Sequence, residues 1–90
     1  MTPSPGPAVR VATAADAAAV GRLLDDFNCE YGEPTPGAER IAERLRTLLT
    51  GDDTVVLVTG GGPDGLALLR FRPSLWSEGL ECYLAELYVV

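Results

Sequence analysis

Leu80-Glu81-Cys82-Tyr83-Leu84-Ala85-Glu86-Leu87-Tyr88-Val89-Val90 is the stretch from which the rest of the chain is best read. It has no Gly or Pro and is rich in aromatic and β-branched residues, which predicts a strand. Strict alternation places Leu80, Cys82, Leu84, Glu86, Tyr88 and Val90 on one face, and Glu81, Tyr83, Ala85, Leu87 and Val89 on the other. Both faces are mostly apolar, so the strand is expected to be central and covered on both sides. It is also the last segment of the sequence. One of its flanks therefore needs a neighbour, either from another segment or from a larger fold.

Working back from it, residues 66–72 and 54–59 predict two more strands, joined through the turn residues Gly60, Pro63, Asp64 and Gly65 as a hairpin. A connection over 73–79 leads into the final strand, so the last three strands are expected to form an antiparallel meander. Upstream, Ile41, Leu45, Leu48 and Leu49 form an apolar stripe in a helix over 38–49, with Glu39, Arg40, Glu43, Arg44 and Arg46 on the opposite side, where acids and Arg can pair. Thr50 and Gly51 end it. The loop before it, 28–37, carries two Pro and two Gly. A first helix runs from 14 to about 28, opened by a capping pair, Thr13 and Asp16, with Ala17, Val20, Leu24 and Phe27 on one face and Leu23 widening it. Gly21 in its middle is either a weak point or a place of close packing. Residues 8–12 are a short strand, and the Pro-rich segment 1–7 reads as a flexible tail.

The order is strand-helix-helix-strand-strand-strand, an α+β layered fold with a largely antiparallel sheet. The two helices are expected to cross over the sheet between the first and second strands. A ferredoxin-like repeat would need a further helix among the later strands.

Ninety residues with 47% hydrophobic composition form at most one domain. No apolar run approaches the roughly 20 residues of a membrane span, and the N-terminus lacks the features of a signal peptide. Both point to the cytoplasm. The net charge of −6 disfavours nucleic-acid binding. Every basic residue is Arg, which looks like a coding bias. Cys29 and Cys82 are expected to be buried reduced thiols without a neighbouring base. With no His and no Cys cluster, no metal site is expected.

Three segments then point to a family: Val9-Arg10-Val11-Ala12-Thr13-Ala14-Ala15-Asp16, Gly65-Leu66-Ala67-Leu68-Leu69-Arg70-Phe71, and Tyr83-Leu84-Ala85-Glu86-Leu87-Tyr88-Val89. In this order and spacing they resemble the N-terminal half of a GNAT-family (Gcn5-related) N-acetyltransferase, an acyl-CoA N-acyltransferase-like fold, over nearly all of 8–90. The resemblance implies acetyl-CoA as co-substrate and the amine of a small molecule or protein as acceptor. It implies direct attack in a ternary site, with no covalent enzyme intermediate. In the family, an Arg/Gln-x-x-Gly-x-Gly/Ala turn after the fourth strand holds the acetyl-CoA pyrophosphate at a helix N-terminus. Residues 1–90 contain no such motif, and the C-terminal half of the fold is expected to be missing from them. The glycines at 60–65 join two strands and are no substitute.

The resemblance places backbone groups of Leu87, Tyr88 and Val89 along the pantetheine arm, in the manner of an added strand. It makes Glu86, and less directly Glu81, a candidate general base. Burial of Glu86 among Leu84, Tyr88 and Val90 would raise its pKa into a useful range; the alternative is a partly solvated Glu at a strand edge. Tyr88 as an acid is a further option. Glu30, Tyr31, Glu33 and Trp76 fall in acceptor-facing loops and could hold an amine by charge and ring face, or be plain surface. Two functional readings remain open. One is the N-terminal portion of an acetyltransferase, inactive alone. The other is a non-catalytic module that completes its sheet with a partner: a second copy or a complementary C-terminal half, paired through strand 80–90.

Overall fold

The computed structural model describes residues 8–60 and 63–90; the expected tail at 1–7 lies outside them. β1 (Val9–Val11) leads through a 3-10 turn (Ala14–Asp16) into α1 (Ala17–Glu30). α2 (Ala38–Leu49), β2 (Thr54–Thr59), β3 (Gly65–Pro73) and β4 (Leu80–Val89) follow. One sheet has the order β1-β2-β3-β4, antiparallel throughout. The meander is as expected. The helices, however, make an excursion rather than a crossover. β1 and β2 are adjacent and antiparallel, with Val9 opposite Thr59 and Val11 opposite Leu57. No helix among the described residues is long and apolar enough to cross a membrane.

The first helical turn starts where the capping pair was read. The Asp16 carboxylate accepts the Thr13 amide at 2.8 Å, and it also takes both terminal nitrogens of Arg10 at 2.8 Å. The Arg10 hydrogen bond, with the Thr13 amide second, holds the Asp16 carboxyl well below the ordinary carboxylate range. A lowered folded-state pKa stabilises the fold above the unfolded pKa of about 4, and the contribution is lost as pH falls below that value. Acid titration of unfolding should therefore show stability declining below about pH 4. Asp16→Asn should flatten part of that decline; an identical acid limb in the variant would rule the contribution out.

Val20 and Leu23 of α1 and Leu45 of α2 pack on Val56, Val58, Leu66 and Leu68 of the sheet to form the core. Ala42 is buried as well, and Gly21 explains why. A Cβ on Gly21 would lie 2.7 Å from the Ala38 carbonyl oxygen and 3.0 Å from the Ala42 nitrogen, so the glycine is a point of close helix contact. Gly21→Ala would gain about 1 kcal/mol of helix propensity. It would lose more by pressing on backbone that cannot move aside, where overpacking costs about 1–3 kcal/mol. A net loss of up to about 2 kcal/mol is expected, read as a lowered denaturant midpoint. A midpoint at or above that of the parent would contradict the close-packing account.

The helices cover one face of the sheet only. On the other, Val9, Val11, Leu84, Leu87 and Val89 are exposed, with Val89 at 69%. The expectation that β4 is central and covered on both sides is therefore corrected: β4 is the edge strand, and among the described residues no layer covers its second face. Cys29 and Cys82 are also corrected, being free but exposed rather than buried. Cys82 stands opposite Phe71 on the side away from Leu68.

Candidate active site

The pairing of β3 with β4 is interrupted at one point. Leu68 stands opposite Glu86, whereas the next residue, Leu69, stands opposite Leu84, so Ala85 is an extra residue without a partner. This is a β-bulge, and it inverts the side-chain parity of β4. Before it, Leu80, Cys82 and Leu84 lie on the open face. After it, Glu86 and Tyr88 share the helix face with Leu68 and Leu66, while Leu87 and Val89 lie on the open face. The single alternation read from the sequence thus holds on either side of Ala85 but not across it.

Backbone directions follow from the register. The Phe71 amide donates to the Asp53 carbonyl at 2.8 Å, on the β2 side of β3. Alternation then turns the backbone groups of Ala67 and Leu69 toward β2, and those of Leu66 and Leu68 toward β4. Their partners Tyr88 and Glu86 direct their own N–H and C=O inward, leaving those of Leu87 and Val89 at the outer edge. Val90, whose amide donates to the Asp64 carbonyl at 2.8 Å, fits the same alternation. The three-residue backbone set expected from the resemblance narrows to two. Leu87 and Val89 present open backbone groups, and Tyr88 is engaged within the sheet.

The Tyr88 side chain is fixed from α1. Its ring stacks on Phe27 with centroids 4.7 Å apart, and Tyr31 meets Phe27 edge-on at 5.2 Å. Its hydroxyl donates to Glu30 at 2.7 Å. That hydrogen bond, aided by desolvation, pushes the phenol up to about 12 and makes Tyr88 a poor acid near neutrality. Glu30 and Tyr31 are thus brought to β4, two positions along the strand from Glu86. Trp76 is not: it is 89% exposed in the β3–β4 connection, and β4 separates its end from Glu86 by roughly 20 Å at strand rise. Glu33 is exposed, and Glu81 pairs with Arg72.

Glu86 itself is exposed, and Leu84 is on the opposite face, so the burial expected for it is not found. It stands instead at the lip of a cleft of about 300 Å³ between α2 and the β3–β4 pair. Its lining includes the apolar Leu24, Ile41, Leu45, Leu68 and Ala85 and the basic Arg40, Arg44 and Arg70. Sequence reasoning missed this arrangement. It set Arg40 and Arg44 on the solvent side of α2 with acids to pair with, yet among the described residues neither has an ion pair. Their i, i+4 spacing was the available signal.

No protein-family model matches the chain, and no curated protein does. Solved structures do. A protein of Arthrobacter sp. FB24, provisionally assigned as an acetyltransferase, is 50% identical over all of this chain, with a TM-score of 0.88. An integron cassette protein from the mobile metagenome of Cole Harbour Salt Marsh is 24% identical over 90% of the chain, with a TM-score of 0.79. A third protein, also provisionally assigned as an acetyltransferase, is 19% identical over 92%, with a TM-score of 0.80. The last two establish the fold alone. This chain spans 57%, 55% and 57% of the three, a little over half of each.

Proposed function

The chain has the fold of the N-terminal half of a GNAT-family acetyltransferase, and from that premise we propose that it forms the β4 wall of a site for acetyl transfer from acetyl-CoA to an amine. The observation that carries this is the outward pair of backbone groups on Leu87 and Val89, set just past a bulge and directly after Glu86, which borders a cleft. An unpaired strand edge can take an extended pantetheine arm as an added strand. An outward amide can hydrogen-bond the thioester carbonyl oxygen as negative charge develops there. Glu86 faces the cleft and takes the proton released as the amine nitrogen bonds to the carbonyl carbon and the C–S bond breaks, with the sulfur leaving as thiolate. Tyr88, held by Glu30 and Phe27, fixes the strand on which these groups sit rather than supplying a proton. In this reading the activity is cytoplasmic.

The test compares two polypeptides: residues 1–90, and a completed chain in which they are joined to the part of the Arthrobacter protein that they do not cover. Acetyl transfer to an amine panel is expected from the completed chain only, because 1–90 holds no pyrophosphate-binding turn. Normal turnover by 1–90 would overturn the division of labour; a folded completed chain that never binds acetyl-CoA would overturn the function.

The exposed apolar face and the open edge of β4 favour a second reading, a non-catalytic module that pairs through β4 with another copy or a complementary half. Sedimentation of 1–90 should then show association, with Leu84, Leu87 and Val89 amides protected from exchange. A stable monomer at high concentration would count against it.

A further inference from the structure

The cleft at Glu86 has a charge that its protein does not. The chain as a whole carries −6, yet three of its seven basic residues, Arg40, Arg44 and Arg70, line this one cavity beside a single carboxylate, Glu86. Arg40 and Arg44 are one helical turn apart on the same side of α2. Neither pairs with a carboxylate among the described residues, and Arg70 has only a distant contact, 3.9 Å to the exposed Asp53. An acceptor with a second positive charge would be repelled here. From these observations we infer that the acceptor is a small amine that also bears a carboxylate. The inference rests on the acetyl-transfer reading for the word acceptor, but not for the binding itself.

Geometry supports the pairing of ends. Leu68 stands opposite Glu86, and Arg70 is the next residue along β3 on the same face, about 7 Å further at strand rise. An amine at Glu86 and a carboxylate at Arg70 are thus within the span of one small molecule. Arg suits the second role because its planar fork matches the two carboxylate oxygens. The apolar lining residues Leu45, Leu68 and Ala85 accept methylenes or an apolar side chain, and their side chains offer no hydrogen bond. The volume of about 300 Å³ is at the lower end of small-ligand pockets, which suits a free amino acid.

The test is titration calorimetry with leucine and 4-aminobutyrate, each beside its neutral carboxamide, on the 90-residue chain and again on the completed chain. At least one carboxylate should bind about tenfold or more tightly than its amide, as a charge-assisted pair at this site implies. Arg40→Gln combined with Arg44→Gln, both on an exposed helix surface, should remove that preference while leaving the unfolding midpoint in place. Equal affinities within both pairs, no binding by either acid, or a preference untouched by the double replacement would each overturn the inference. Acetylation separates it from the broader reading. A carboxylate preference in binding with no acetyl transfer leaves an acid-binding cleft and sinks the transferase. Transfer to leucinamide as efficient as to leucine keeps the transferase and sinks the acidic acceptor.

Discussion

Val89→Pro in the completed chain is expected to keep the fold and weaken acetyl-CoA binding by about ten- to a hundredfold. The asymmetry follows from strand direction. The Val89 amide points to the outer edge of the sheet, so its loss removes no ladder bond, and proline is tolerated at an edge position of this kind. The same substitution deletes a donor that an added strand would use and places a ring in its path. Tyr88→Pro is the control. It removes the amide that faces Leu66 and the ring that stacks on Phe27, so it should unfold β4 outright. Calorimetric affinity for acetyl-CoA, together with an unfolding midpoint for each variant, reads both effects. Normal binding by a folded Val89→Pro protein would remove the strand-edge site and leave only the fold.

Glu86→Gln keeps the shape of the side chain and removes its basicity. If Glu86 takes the amine proton, turnover should fall by about 10²–10⁴, while affinity for acetyl-CoA changes little. The pH–rate profile should lose its acid limb, because no group is left to become competent as pH rises. A profile and turnover unchanged by the substitution would mean that water or a residue beyond Val90 accepts the proton. The exposure of Glu86 does not decide between these outcomes, since an occupied cleft would exclude water from it.

What the sequence made legible was whatever depends on local periodicity and punctuation. Glycine, proline and the apolar stripe of Ile41 and Leu45 bounded α2 and β2, and Thr13 with Asp16 marked the start of the first helical turn. What it hid depends on pairing. Nothing in Leu84-Ala85-Glu86 announces a bulge, because alternation of apolar residues continues through it; only the register against Leu68 and Leu69 shows the slip. The Phe27–Tyr88 stack and the Tyr88–Glu30 hydrogen bond join residues about sixty positions apart, beyond any local pattern. Arg40 and Arg44 read as solvated because a helix face looks polar until the element beside it is known. The two apolar faces of β4 were read correctly as composition and wrongly as burial: the open face has the residues of a core, but among the described residues no layer covers it.

The outward backbone groups of β4 after the bulge are expected to receive acetyl-CoA. Amide resonances of the ¹⁵N-labelled completed chain, followed during titration with acetyl-CoA, test it most directly. Leu87 and Val89 should shift strongly downfield as their amides gain hydrogen-bond acceptors, with the inward-facing Tyr88 amide moving far less. Saturable binding of acetyl-CoA that leaves Leu87 and Val89 unmoved would contradict the claim.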